Sequence, residues 1–410
     1  MTPLQALTLA EQLGGRDRLN CIAELDRSAA EHTPAADTPL GGMPVLVKDN
    51  IDVRGMHTTA GSLALGDNLA TEDAPVIANL RKNGAILLGK TNMTEFANFT
   101  TQGMPGGYSS RGGQVVHAVN PALSPSGSSS GSAVAVAAGI VPAAVGTDTS
   151  FSVVACAQHN GICGLKPPAG ALSSQGIIPI ARTLDSAGSL ANNLTDCLRL
   201  YSAMRDDPLP ALEALPVNGL KIGVNTANQE TVSDGQKQFL SDFLRTLRSC
   251  GGAVQSICQE PAPLLPVVMK YEFRPHLEDY LRTSAASRKT LAEIVAFYEA
   301  HPEAMKYGIN LLKAALEDTP GGLQSPVYLD AMENRRIAIK KTAQELSGLD
   351  AVIMTGPTSI MHFCGFASLC IVGHRKNADG MRRGLILYGS DEIRLYRAAL
   401  ALEKLLKNIA

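Results

Sequence analysis

Short apolar runs alternate with amphipathic stretches in the first hundred residues. Residues 43–48 (Met-Pro-Val-Leu-Val-Lys) predict a buried strand that ends at Lys48. Residues 73–83 have a helical pattern, and residues 85–90 (Ala-Ile-Leu-Leu-Gly-Lys) predict a second strand. A further helix is expected over residues 92–99. This succession of strands and helices indicates a mixed or parallel sheet with helical cover.

A long loop rich in glycine and serine, residues 101–131, interrupts this alternation. Its end reads Ser-Pro-Ser-Gly-Ser-Ser-Ser-Gly-Ser over residues 124–132, where a helix is predicted to begin. Residues 141–145 predict a short strand. Residues 146–152 (Gly-Thr-Asp-Thr-Ser-Phe-Ser) form a second polar turn, before a helical stretch to about Asn160. Two serine-rich turns therefore bracket an alanine-rich helix and a strand.

The second half of the chain has a different texture. Charged helical patterns dominate from about residue 195 to 345, and apolar runs at 350–354 and 383–389 predict strands that return to the core. Residues 394–408 predict a final amphipathic helix. We expect an α/β fold: a single domain over residues 1–410, with the helix-rich segment packed on the core.

Composition and charge limit the function. The chain has 410 residues, 45% of them hydrophobic and 18% charged, which is typical of a globular protein. A net charge of −2 and only 4% aromatic residues argue against a dedicated nucleic-acid or acidic-membrane binder. The eight cysteines are scattered, and the first residues lack the basic start and apolar run of a signal peptide. We therefore expect a cytoplasmic protein.

Four segments in this order resemble the amidase signature family: residues 41–56, 89–97, 126–140 and 146–167. Any one of them alone would be weak, but their combination and spacing are specific. The resemblance implies the amidase signature fold, a mixed central β-sheet covered by helices on both faces. It also implies hydrolysis of a linear carboxylic amide through an acyl-enzyme, with no cofactor and no metal. The expected partner is a small-molecule amide, without nucleic acid or membrane, and a homodimer is allowed.

The resemblance implies a Ser–Ser–Lys triad, with Ser152 as nucleophile, Ser128 as proton relay and Lys48 as base. A serine hydroxyl is a poor nucleophile until a base removes its proton. A lysine can be that base only when neutral, which requires a pKa about three units below its reference value. The apolar neighbours of Lys48 in its strand favour such a shift. The alternative is a surface lysine paired with Asp49 or Asp52.

An oxyanion hole and two supporting residues follow from the same resemblance. The hole is expected to use the backbone N–H groups of Thr149, Ser150, Phe151 and Ser152. Asp148 is expected to hold the turn by accepting backbone hydrogen bonds. Ser129 is expected either to contact Lys48 and Ser128 or to be a plain capping or loop serine.

The turn departs from the family pattern. The family usually reads Gly-Gly-Ser-Ile-Arg here, whereas this chain has Ser150 and Phe151 for the two glycines and Val154 for the arginine. We expect Phe151 to keep a negative φ, to leave its N–H aimed at the oxyanion, and to narrow the acyl side of the pocket. We expect that pocket to draw on residues 101–113 and 355–365.

Other functions remain open from the sequence. Gly-Ser-Ser-Ser-Gly at 127–131 matches the nucleophile elbow of α/β-hydrolases, with Ser129 central, but that motif needs a preceding strand. Cys156, His159 and Cys163 would share one face of a helix and could ligate zinc. The chain could also resemble the A subunit of glutamyl-tRNA amidotransferase and need a partner. The altered turn allows a non-hydrolytic family member as well.

Overall fold

A large mixed β-sheet runs through the protein and is flanked by helices. The computed structural model describes residues 1–31, 37–378 and 380–407. The strands within this part are β1 (Ile22–Leu25), β2 (Pro44–Lys48), β3 (Ile86–Thr91), β4 (Tyr108–Ser109), β5 (Gly113–Gln114), β6 (Ala143–Asp148), β7 (Cys163–Lys166), β8 (Ser186–Ala191), β9 (Lys221–Asn225), β10 (Ala253–Ile257), β11 (Ala351–Met354), β12 (Ala367–Lys376) and β13 (Arg382–Gly389).

The α-helices follow the same chain order. Those in the described residues are α1 (Pro3–Leu13), α2 (Pro75–Lys82), α3 (Ser130–Ala137), α4 (Val154–Asn160), α5 (Leu194–Met204), α6 (Asp234–Ser249), α7 (Leu265–Thr283), α8 (Leu291–Ala300), α9 (Asn310–Glu317), α10 (Pro326–Glu345), α11 (Ile360–Cys364) and α12 (Glu392–Lys407). None of these helices combines the length and the apolar character that a membrane span requires.

The strand order in the main sheet is β1-β3-β2-β6-β8-β7-β12-β13-β11-β9-β10. Strand β2 lies between β3 and β6 and is parallel to both. All five of its residues are buried, as expected for a parallel strand that is covered on both faces. Because parallel strands end at the same edge of a sheet, Lys48 at the end of β2 comes close to Thr147 and Asp148 at the end of β6.

Most strands and helices predicted from apolar runs are present, including β2, β3, β11, β13 and α12. The last residue of the predicted final helix, Asn408, lies outside the described residues. The helix expected over residues 92–99 is wrong: the structure has a short 3₁₀ turn at Glu95–Asn98, with positive φ at Phe96, Ala97 and Asn98. A regular helix cannot contain three successive left-handed residues.

Helices α7, α8 and α9 of the helix-rich segment pack on the segments that follow β2 and β3. A second hydrophobic cluster joins residues of α7, α8 and α9 to Phe96 and Phe99. The ring of Phe273 in α7 lies 4.6 Å from that of Phe99 and 6.0 Å from that of Phe96, centroid to centroid. Such aromatic pairs contribute about 0.5–1.5 kcal/mol each beyond their buried area. These contacts attach the helical segment to the loop that follows β3.

Candidate active site

Lys48 is completely buried at the end of β2, and its amine faces hydroxyl groups. Its Nζ lies 2.8 Å from Ser128 Oγ, 3.0 Å from Ser129 Oγ and 2.8 Å from Thr147 Oγ1. A fourth contact joins it to the Thr147 carbonyl oxygen at 3.2 Å. Burial lowers the pKa of Lys48 from 10.5 to about 7. Lys48 is therefore not a surface lysine paired with Asp49 or Asp52.

Ser128 and Ser129 lie directly before helix α3 and are completely buried. The peptide bond between Gly127 and Ser128 is cis. The Ser129 side chain does not cap α3. Instead its hydroxyl donates to the Thr147 carbonyl oxygen at 3.0 Å and accepts from the Thr147 N–H at 3.2 Å. Ser129 thus connects the lysine to the end of β6.

Strand β6 passes in direct contact with this serine pair because it has no side chain at Gly146. A Cβ added there would lie 2.7 Å from Ser129 Oγ, closer than real Cβ contacts. The glycine therefore allows Ser129 to reach Lys48 and Thr147 together.

Ser152 lies in the turn between β6 and α4 and is 6% exposed. Its carbonyl oxygen accepts from the Ser129 N–H at 3.2 Å, which joins the two serine-rich turns. Within the described residues its hydroxyl has no hydrogen-bond partner, so the step from Ser152 to Ser128 is not bridged in this conformation. Catalytic hydrogen bonds often tighten only when substrate is bound.

Asp148 and Asp185 hold the polar turn from two sides. Asp148 Oδ2 accepts from the N–H of Val153 at 2.7 Å and of Val154 at 3.3 Å, at the start of α4. Thr149 Oγ1 donates to Asp185 Oδ1 at 2.5 Å. Burial raises the pKa of Asp185 from 3.8 to about 7.

Phe151 does not have the negative φ expected for it. Its φ is +69°, in the left-handed region that glycine enters freely. A phenylalanine there costs about 1–2 kcal/mol. The turn has therefore kept a conformation suited to glycine although the residue is no longer glycine.

His362 contacts this turn from helix α11, and the sequence pattern did not reveal it. The Phe151 N–H, expected to point at the oxyanion, instead donates to His362 Nε2 at 3.2 Å. The two rings meet edge to face with centroids 4.3 Å apart. Burial lowers the pKa of His362 from 6.5 to about 4. The only signal in the sequence was the loss of the two glycines, which did not indicate a partner.

A model of the Amidase family matches residues 16–363 of the chain. The chain belongs to the amidase family. A probable amidase of Arabidopsis thaliana is 32% identical to it over 359 residues, which are 80% of this chain and 70% of the relative. The indoleacetamide hydrolase of Pseudomonas savastanoi is 30% identical over 380 residues, 88% of this chain and 76% of the relative.

The solved structures agree with this assignment. The native peptide amidase of Stenotrophomonas maltophilia superposes with a TM-score of 0.88 at 32% identity, covering 100% of this chain and 93% of the other. The resemblance to the amidase signature family and the α/β fold with a mixed central sheet are thereby confirmed. The protein is a hydrolase that acts on amide C–N bonds.

A pocket in this amidase adjoins the site. Thr147 and Thr149 line it on one side, and Leu172, Ile177 and Ile178 contribute apolar surface on the other. Its lining includes neither residues 101–113 nor residues 355–365, which we had expected to form the pocket. Phe151 is not among the lining residues either, because its ring packs on His362.

The structure does not support the two alternative sites, the zinc site and the nucleophile elbow. Helix α4 ends at Asn160, and Cys163 lies in strand β7, so Cys156, His159 and Cys163 do not share a helical face. Within the described ranges no group of three or more His, Cys, Asp or Glu side chains could hold a metal ion. The segment before Ser129 is not a strand, which removes the premise of a nucleophile elbow.

Proposed function

We propose that this amidase hydrolyses a linear carboxylic amide through an acyl-enzyme on Ser152, with Ser128 as relay and Lys48 as base. The observation that carries the proposal is the buried Lys48 amine, 2.8 Å from Ser128 Oγ, with its pKa lowered to about 7. An amine with that pKa is mostly neutral above pH 7 and can accept a proton. The family membership supports the same assignment.

The proton follows a single path in both directions. Ser152 Oγ attacks the amide carbon while its proton passes to Ser128, and the Ser128 proton passes to Lys48 Nζ. The lysine then returns a proton through Ser128 to the leaving nitrogen, the C–N bond breaks, and ammonia or an amine departs. Water attacks the ester by the same relay and releases the acid and Ser152.

The negative oxygen of the tetrahedral intermediate requires donors that are already oriented. We assign this role to backbone N–H groups of the turn at residues 149–152, other than that of Phe151, which is donated to His362. Asp148 and Ser129 support the site, because the first accepts N–H groups at the start of α4 and the second contacts Lys48.

The acyl group is proposed to enter the cavity beside Thr149. Its isoleucine and leucine lining suits an apolar group. We also propose that residues 1–410 act as one domain in the cytoplasm, and the eight free cysteines support that compartment. A homodimer stays a prediction.

The test uses the full chain with primary amides from acetamide to phenylacetamide. Hydroxylamine added during turnover should yield the hydroxamate, since an acyl-enzyme partitions between water and a stronger nucleophile. A fluorophosphonate should label Ser152. We expect Ser152→Ala and Lys48→Ala each to lower kcat at least a thousandfold, with no further loss in the double variant.

Ser130→Ala is the matched control. Ser130 lies in the same serine run, and its buried hydroxyl has no hydrogen-bond partner among the described residues. Its removal should therefore leave kcat within about threefold. A Ser152→Ala enzyme that keeps a tenth of the wild-type rate would contradict the assignment. No labelling of the wild type, together with a co-purifying partner, would favour the amidotransferase-like alternative.

A further inference from the structure

Phe151, in the turn before Ser152, has a strained backbone conformation, and its N–H contacts a side chain from a distant part of the chain. Phe151 has a φ of +69°, and its N–H is bonded to His362 Nε2. This histidine belongs to α11 and is completely buried. The proposed mechanism does not use it.

We propose that His362 is a positioning residue for the oxyanion hole. It accepts the Phe151 N–H, holds Phe151 in the left-handed conformation, and leaves the N–H groups of Ser150 and Ser152 to receive the substrate oxygen. This inference rests on the proposed function, because it assigns the donors of the same site.

The donor assignment follows from which N–H groups are already engaged. The Phe151 N–H has an acceptor in His362. The N–H groups of Thr149, Ser150 and Ser152 have no acceptor among the described residues, and those of Ser150 and Ser152 directly flank Phe151. Two donors, one of them from the nucleophile itself, are enough to form an oxyanion hole.

The contacts of His362 indicate which of its two nitrogens carries the proton. Since Nε2 accepts a hydrogen bond, the proton of the neutral ring lies on Nδ1. Nδ1 faces Asp148 Oδ1 at 3.5 Å, and neither atom has a hydrogen-bond partner among the described residues. The other oxygen of Asp148 accepts from Val153 and Val154. One carboxylate therefore faces the imidazole and also accepts the N–H groups at the start of α4.

This arrangement explains how the chain tolerates its departures from the family pattern. Val154 at the start of α4 carries no charge that could pair with Asp148, and His362 faces this carboxylate. With phenylalanine at 151, the ring contact with His362 adds packing that a glycine would not provide.

The activity test compares His362→Gln with His362→Asn, two amides that differ by one methylene group. The longer glutamine side chain can place its oxygen near the position of Nε2 and accept the Phe151 N–H. The asparagine side chain is too short to do so. We expect His362→Asn to lower kcat 10–100-fold with KM changed less than threefold, and His362→Gln to stay within about fivefold of the wild type.

An aldehyde and the matching alcohol of the best acyl group report on the hole directly. The aldehyde adds to Ser152 and forms an oxyanion, whereas the alcohol does not. The ratio of their inhibition constants should change by the same factor as kcat in His362→Asn. An equal decrease of kcat in both variants, or a change in KM alone, would overturn the proposal. Tighter aldehyde binding in His362→Asn would mean that the histidine obstructs the hole.

A second measurement does not depend on activity. In protein labelled with ¹⁵N-histidine, the signal missing from His362→Gln identifies His362. At pH 7 it should show the neutral ring with its proton on Nδ1. A proton on Nε2 would overturn the proposal even if the enzyme hydrolyses amides. Conversely, the expected tautomer in a protein that forms no hydroxamate would leave His362 as the Phe151 acceptor and reject the proposed function.

Discussion

Lys48 and Phe151 belong to the same candidate site but are stabilised in different ways. The hydrogen-bond partners of Lys48 come from the segments that match the family pattern, and they are brought together by adjacent strands and the start of α3. Phe151 departs from that pattern, and its N–H is held by a histidine 211 positions away in the chain. The comparison shows that where a motif keeps its residues, neighbouring elements maintain its geometry. Where it loses them, a distant element supplies the support.

Changes to Lys48 and its hydroxyl partners, the lysine side of the site, should have the larger effect on activity. Only the neutral amine can accept a proton, and the pKa of Lys48 is about 7. We therefore expect kcat/KM to fall about tenfold per pH unit below pH 7, and to reach a plateau above it. Initial rates from pH 5 to 9, with a melting curve at each pH to exclude unfolding, check this. A flat profile would remove Lys48 as the base.

A methyl group at Gly146 should disturb Ser129 more than the turn at Ser152. Its Cβ would lie 3.2 Å from Val153 Cγ2, next to Ser152, but closer still to Ser129. The added Cβ would lie 2.7 Å from Ser129 Oγ, so Ser129 must move away from Lys48. We expect Gly146→Ala to lose about 1–3 kcal/mol of unfolding free energy and to lower kcat at least tenfold.

Gly15→Ala is the control for Gly146→Ala. A Cβ at Gly15 meets no atom within 4 Å, so this variant should remain near wild type in both measurements. Wild-type kcat in Gly146→Ala would show that the contact of Ser129 with Lys48 is dispensable.

Phe151 and His362, the turn side of the site, should show a smaller effect, which is on the free energy of unfolding. The pKa of His362 is about 4 in the folded chain and 6.5 in its ordinary state, so the unfolded chain binds more protons between these values. The contribution of neutral His362 is therefore present above pH 6.5 and is lost as pH falls toward 4. At pH 5 the loss of unfolding free energy is about 2 kcal/mol.

Urea unfolding of wild type and His362→Gln at pH 7 and pH 5 measures this contribution. Glutamine does not titrate, so the wild type should lose about 2 kcal/mol more than the variant between the two pH values. Glu95 and Asp185 also titrate in this range, but they are present in both proteins and cancel in the difference. An equal decrease in the unfolding free energy of both proteins would show that His362 titrates with its ordinary pKa.

Strands with apolar runs were predictable, and strands of small residues were not. Strand β2 reads Pro-Val-Leu-Val-Lys and was expected. Strand β8 reads Ser-Ala-Gly-Ser-Leu-Ala and was not, although all its residues are buried. Its small side chains carry little intrinsic strand preference, and its conformation follows from pairing with β6 and β7.

The sequence by itself determined the family, the central α/β sheet and the candidate residues Lys48, Ser128 and Ser152, because these depend on residue types at short, regular spacings. Only the tertiary structure decided how the altered turn is held. Whether Phe151 avoids or accepts a positive φ depends on what lies behind it, and His362 arrives there through helix α11. A hydrogen bond between residues so far apart leaves no periodic signal in the chain, so it becomes visible only once the sheet has brought the two segments together.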